Sequence, residues 1–248
     1  MQLRLGGVVV LYRWSPPQLN DGFVAPQWMI ARRDRRGFGL LIDSVRGASE
    51  MLFHLVARWR RESRTTWGAT NEEVVTALPG DELIQASTWG YTHAITIDAS
   101  PAGVWPWLVQ IGQGRGGFYS FELLENLAGC HIHNTDAILP EFQHLGVGDE
   151  VRLAPKGPPP LSAAIVAPEQ CLALVGGAPG GKEPISLWSF HLAETDTGAT
   201  RLVERGRYRV AASLGQRIML GPTVLEPVSF VMSRQMLRTI KRLAESEG

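Results

Sequence analysis

The chain predicts an α+β domain in which helices pack on one face of an antiparallel sheet and a long helix closes the C-terminus. Three observations carry this. Candidate elements run strand, two helices, a series of strands, then one helix. The later strands are joined by turn signals, Pro168-Glu169 and Thr195-Asp196-Thr197-Gly198, which suit hairpins and not crossovers. And Val228, Val231, Met232, Met236, Ile240 and Leu243 recur at threes and fours, the period of a helix with one apolar face.

Each element has a local reason. Residues 1–48 show no sustained period, with one strand-like run at Val8–Leu11 and a charge cluster at Arg32–Arg36. From Glu50 to Glu62, Leu52, Phe53, Val56 and Trp59 share a helical face beside Arg58, Arg60 and Arg61. Such a helix either docks on its own domain or lies on an anionic membrane surface; docking is the expectation. Met51 offers an alternative start to the chain. Thr70-Asn71-Glu72-Glu73 has capping-box spacing, so a short helix begins there and stops before Pro79-Gly80. Tyr91–Asp98 alternates, placing Tyr91, His93, Ile95 and Ile97 on one face of a strand. Ser100-Pro101 is an N-cap followed by proline at the first helical position, and Pro106 should bend the helix that follows. Ser120 is expected to cap a second short helix ending at Gly129. Strands follow at Glu150–Leu153, Ala163–Ala167, Gln170–Val175, Ser186–Glu194 and Ala199–Val210. Pro222 and Pro227 should break the chain before the last helix, Pro227–Glu245, about 28 Å long.

The 248 residues are 44% hydrophobic with zero formal net charge, enough for one sizeable core. The neutrality hides a step: residues 1–66 hold eleven arginines, no lysine and five acidic residues, and the remainder carries the compensating acidic excess. That step places a boundary at 66, with a basic N-terminal extension of residues 1–66 and a domain of residues 67–248 that should fold alone. Cys130 and Cys171 give no disulfide framework. With no apolar run near 18 residues and no signal-peptide pattern, a reduced, cytoplasmic protein is expected.

The element order and several motifs resemble the SRPBCC superfamily (START, Bet v 1 and polyketide-cyclase-like proteins), in a bacterial branch. The residues carrying the resemblance are Trp67-Gly68-Ala69-Thr70, Leu78-Pro79-Gly80-Asp81, Ile97–Pro101 with Val104–Leu108, the Gln110–Leu127 segment, Thr200-Arg201-Leu202, and Met232 with Met236-Leu237. It covers Trp67 to Glu245. It implies the helix-grip fold, in which a curved antiparallel sheet wraps the C-terminal helix around a ligand cavity. Such folds host carriers, cyclases, chaperone regulators and sensors, so it does not choose an activity.

Residue chemistry narrows the site. His93 is either a satisfied core histidine or a pocket group suited to proton transfer. Arg115, among Gly112, Gly114, Gly116 and Gly117, either receives an acidic ligand group or ties its loop to the domain. The glycines lack Rossmann or P-loop spacing. On the strand after Thr200, Arg201, Arg205, Arg207 and Arg209 face one way, expected to be solvent; Glu204 and Tyr208 face inward, where a carboxylate needs a partner. Cys130-His131-Ile132-His133 lacks a complete ligand set, and Glu122 with Glu125 reads as a solvated face. The tryptophans read first as core.

The expected site therefore has a polar end of His93, Arg115, Tyr119, Glu204 and Tyr208, and apolar walls of Trp107, Trp188, Phe190 and Met236. Its ligand is an apolar or amphipathic small molecule, with no nucleic acid, metal or cofactor expected; the sequence leaves the oligomeric state open. Three functions compete: a carrier of such a ligand, a cyclase or dehydratase on the same scaffold, and a partner-binding domain with a filled core.

Overall fold

The computed structural model describes residues 37–177, 183–210 and 221–246. The strand-like run at Val8–Leu11 and the Arg32–Arg36 cluster lie outside them. The helices are α1 (Gly37–Val56), α2 (Arg61–Thr65), α3 (Asn71–Val75), α4 (Pro101–Val109), α5 (Glu122–Leu127) and α6 (Leu225–Ser246). The strands are β1 (Trp89–Ile97), β2 (Glu150–Val151), β3 (Leu161–Ala167), β4 (Cys171–Gly177), β5 (Pro184–Glu194) and β6 (Thr200–Tyr208). They form one antiparallel sheet in the order β1-β6-β5-β4-β3-β2. First and last strands in sequence thus pair, and the sheet bends around α6. This is the helix-grip fold.

Both hairpins turn where the sequence placed them. Glu169 takes φ 62° between β3 and β4, and the Thr195–Ala199 turn closes with Thr195 N–H donating to the Ala199 carbonyl at 2.8 Å. Register puts Tyr91 opposite Gly206, His93 opposite Glu204, and Glu204 opposite Phe190. These residues share the inner face, because directly paired residues point the same way. Inside it, Ile97, Leu172, Leu174, Phe190 and Leu202 pack with Trp107, Leu108, Met236, Leu237, Ile240 and Leu243.

Thr70 makes both bonds of its capping box with Glu73, and Ser100 accepts from Gly103 N–H with Pro101 at the first helical position. Two expectations at helix ends are corrected. Phe121, not Ser120, is the N-cap of α5; Ser120 Oγ instead donates to the Met232 carbonyl at 3.2 Å. Helix α6 begins at Leu225, so Pro227 lies in its first turn, where a missing N–H breaks no intrahelical bond.

The outer face of the sheet is not solvent, contrary to the reading of the arginine row. Segment 70–84 lies across it. Arg205, 1% exposed, donates to Asp81 Oδ2 at 2.6 Å and to the Thr76 and Glu73 carbonyls. Arg201 pairs with Glu73 at 2.7 Å. The Leu78–Asp81 motif has a structural purpose, since Asp81 accepts from Leu78 N–H and anchors Arg205. Burial beside Arg205 pushes the His191 imidazole down to about 4, leaving it neutral.

Among the described residues helix is present from Gly37, thirteen residues before the expected Glu50. Helix α1 crosses α5 and α6, with Gly47 against the Phe121 ring, Ser44 and His54 buried, and Glu50 paired with Arg234. Its apolar stripe points the other way: Leu41, Val45, Leu52, Val56 and nearby Trp59 are 56–78% exposed. Helix α2 is held more deeply. Arg64 and Arg61 both pair with buried Glu226 at the start of α6, at 2.9 and 2.7 Å, where the helix dipole also favours the carboxylate. The charge step at residue 66 therefore marks no gap in packing.

Candidate functional site

Between the inner face of the sheet, α5 and α6 lies a cavity of about 570 Å³. Its walls are mostly apolar: Phe118, Leu153 and Leu161 from sheet and loops, and Leu225, Val228, Met232 and Met236 from α6. The volume falls within the usual range for small-molecule sites, roughly 300–1,000 Å³. The few polar groups in the wall are therefore informative.

One set is built around Glu204, which has no solvent exposure. Its Oε1 accepts from Trp188 Nε1–H at 2.8 Å, Ser233 O–H at 2.8 Å and Tyr91 O–H at 3.0 Å. Its Oε2 lies 3.3 Å from His93 Nδ1. His93 Nε2 lies 2.8 Å from the Arg64 carbonyl, which can only accept, so Nε2 carries a proton. The Nδ1–Oε2 contact and the three donors on Oε1 together satisfy both carboxyl oxygens. Tyr91 stacks on the His93 ring at 4.4 Å. Gly206 makes room for this: a Cβ there would stand 2.3 Å from the Tyr91 ring. Burial and the Glu204 charge hold the Tyr91 and Tyr208 hydroxyls well above the ordinary tyrosine range, so both stay protonated.

The second set is Glu125 on α5 with Cys130 just beyond it; both line the cavity. Glu125 is 7% exposed, and its Oε2 has no hydrogen-bond partner. Burial first, then the Glu122 charge, pushes its carboxyl up to about 8. The reading of Glu122 and Glu125 as a solvated face fails for Glu125 and holds only in part for Glu122, whose side chain is 19% exposed. Glu122 accepts from Asn134 N–H at 2.9 Å and faces His133 at 3.3 Å, and Glu125 points inward. The Cys130 thiol is raised by burial and by Glu125. Among the described residues, no group of three or more His, Cys, Asp or Glu could hold a metal ion.

Of the nine residues expected at the site, Trp188, Tyr208 and Met236 line the cavity. Glu204 and His93 sit directly behind that wall. Phe190 and Trp107 are fully buried core. Arg115 and Tyr119 are elsewhere, because the glycine-rich segment folds into a closed loop, with Gly112 bridging Gly117. Arg115 donates to the Val109 and Phe142 carbonyls at 2.9 and 3.2 Å and stacks on Phe142. The Tyr119 hydroxyl accepts from Gln110 at 2.8 Å. The arginine ties down its loop. Tyr91, Ser233 and Glu125 were missed as site residues. Tyr91 shares the inner face with His93 and was open to selection; Ser233 and Glu125 carried no signal, because their direction depends on how α5 and α6 dock.

No family model and no curated protein matches the chain. Solved structures do. A Polyketide_cyc-like protein from Corynebacterium glutamicum is 16% identical, with a TM-score of 0.35 over 64% of this chain and 92% of that one. The Aha1 dimer from Colwellia psychrerythraea gives 14% and 0.35 over 60% and 94%. A protein from Nitrosomonas europaea gives 16% and 0.40 over 69% and 100%. The helix-grip assignment rests on the strand order and the gripped helix described above. No helix among the described residues is long and apolar enough to cross a membrane.

Proposed function

We propose that this domain binds an apolar or amphipathic small molecule in the cavity between sheet and long helix. The observation that carries the reading is an apolar cavity of about 570 Å³ in an otherwise close-packed core, where voids larger than a water molecule are few. A filled core, as a purely partner-binding domain would have, does not account for it. Met232 and Met236 suit the role, since unbranched thioether side chains adapt to ligands of varied shape. Native mass spectrometry of protein purified from its source should show a retained small molecule. After delipidation, apolar probes should bind saturably and change Trp188 emission, an effect absent in Trp188→Phe. Neither a retained mass nor saturable binding would overturn the proposal.

A second reading, a cyclase or dehydratase, is favoured by one feature: Tyr91 O–H in the wall leads through Glu204 to His93, a chain able to move a proton to or from a bound substrate. Exchange of solvent deuterium into the activated methylene of a bound β-diketone would support it if abolished in Tyr91→Phe. No exchange above the rate in buffer leaves the carrier reading alone.

A further inference from the structure

The two carboxyl groups at the cavity are in opposite states of satisfaction. Glu204 is saturated by three donors. Glu125 lines the apolar cavity and has a buried oxygen with no hydrogen-bond partner among the described residues. An orphaned buried polar atom requires an explanation, and the described protein groups do not supply one. Glu122, on the same helix, is a like charge. On α1, which packs on α5, Arg46 turns to Asp43 and Gln235, and Glu50 turns to Arg234. The Cys130 thiol in the adjoining turn is a weak donor whose backbone N–H already bonds the Glu125 carbonyl at 3.0 Å. With no cation in reach among the described residues the group stays a neutral acid, consistent with its elevated titration near 8. A neutral carboxyl carries an O–H with nothing to donate to.

The rest of the wall sharpens this. Most of its other side-chain donors are already used: Tyr91, Trp188 and Ser233 on Glu204, Ser120 on the Met232 carbonyl, Ser186 on the Gly176 carbonyl, Ser229 on the Leu225 carbonyl and Arg209 on Glu183 and the Pro184 carbonyl, which leaves the Tyr208 O–H on the sheet and Glu125 on α5. On the α5 side of the cavity a ligand oxygen finds its O–H donor at Glu125. Building on the proposed ligand binding, we propose that Glu125 is the hydrogen-bond donor for an uncharged oxygen acceptor on the ligand, a ketone, ester or amide carbonyl attached to an apolar body. A carboxylate ligand fits poorly beside Glu125, since the arginine that lines the cavity, Arg209, is already paired with Glu183 and bonded to the Pro184 carbonyl, and an amine would require Glu125 to ionise in an apolar surround.

Three matched probes test this on the full chain: acetylnaphthalene, ethylnaphthalene and naphthylethylamine, which differ in carrying a carbonyl, no polar group and a cation. In the parent protein the ketone should bind roughly three- to tenfold tighter than the hydrocarbon, the gain expected of one net hydrogen bond. Glu125→Leu should erase that difference, and Glu125→Gln, which retains an N–H donor, should keep most of it. Equal binding of ketone and hydrocarbon, or a ketone preference surviving in Glu125→Leu, overturns the inference while leaving ligand binding intact. Failure of all three probes counts against ligand binding itself, and the inference falls with it. A Glu125-dependent preference for the amine would show an ionised carboxylate and also overturn it. Independently of any ligand, the ¹³C carboxyl resonance of Glu125 should report a protonated acid at neutral pH, and an ionised signal there refutes the assignment even if Glu125→Leu fails to fold.

Discussion

Glu125→Gln should remove a pH dependence of stability that no surface carboxylate would produce. In the unfolded chain this carboxyl ionises at its ordinary value of 4.5; in the folded protein it holds its proton up to about 8. Between those values the folded state binds the extra proton, so stability is fully present below 4.5 and is lost as pH rises toward 8. At about 1.4 kcal/mol per pH unit, the gap sets a ceiling of about 5 kcal/mol. Integrating from about pH 5 to about pH 7.5 gives a loss of about 3 kcal/mol attributable to this group. The groups facing Glu125 are Glu122, which adds to the effect, and Cys130, whose thiol stays protonated over this range because its pKa is raised as well. Glutamine cannot titrate and has nearly the same shape. Urea unfolding of parent and variant across that range should therefore give curves that coincide near pH 5 and separate by about 3 kcal/mol near pH 7.5, the variant being more stable. The difference between proteins cancels every other titrating group. A constant difference across the range would mean that Glu125 ionises normally in the fold, and the argument for a neutral donor in the cavity would fail.

Arg64→Leu leaves Glu226 buried beside the half-exposed Arg61 alone, and should cost about 3–5 kcal/mol in urea unfolding; a loss under about 1 kcal/mol would show that Arg61 suffices. By the same reasoning a chain beginning at Gly68 should lose at least as much, against the independent folding that the charge step suggested, and an unchanged cooperative transition would restore the boundary. Met236→Ala removes a side chain 2% exposed that packs in the core and touches the cavity, so the expected loss is near the low end of the usual 2–5 kcal/mol, about 2 kcal/mol. Replacing Leu52 and Val56 with serine should change stability by less than about 0.5 kcal/mol per site because both already face water, and a larger drop would mean that the stripe is covered.

What could be read in the sequence follows the range of the forces involved. Capping at Thr70 and Ser100, the two hairpin turns and the alternation of β1 and β6 are set within a few residues, and each appears where the local chemistry placed it. The inward direction of Glu204 followed from the two-residue period alone. Directions that depend on what lies across from an element were not legible. Arg205 was assigned to solvent because alternation gives faces but not what covers them, and the cover comes from residues more than a hundred positions earlier. Arg115 is surrounded by glycines whether it grips a ligand or its own loop; carbonyls at Val109 and Phe142 decide for the loop. Glu125 is three residues from Glu122 on a helix too short to show a face, and its burial comes from the docking of α5 against α1 and α6.

The contrast between Glu204 and Glu125 also separates the architecture of the cavity from its specificity. Donors committed to Glu204 cannot be given to a ligand without leaving that carboxylate short, at a cost of about 1–3 kcal/mol for each buried bond lost. Tyr91, Trp188 and Ser233 therefore fix the shape of one wall and resist rearrangement, tying β1, β5, β6 and α6 to a single point. Glu125 has no such commitment, so a ligand that accepts its proton gains a bond without breaking one. Selectivity in this cavity should consequently respond strongly to substitution at Glu125, whereas substitution at Glu204 should appear first as lost stability. That ordering is measurable: Glu204→Gln should lower the urea midpoint before it alters the preference for acetylnaphthalene over ethylnaphthalene, and Glu125→Leu should do the reverse.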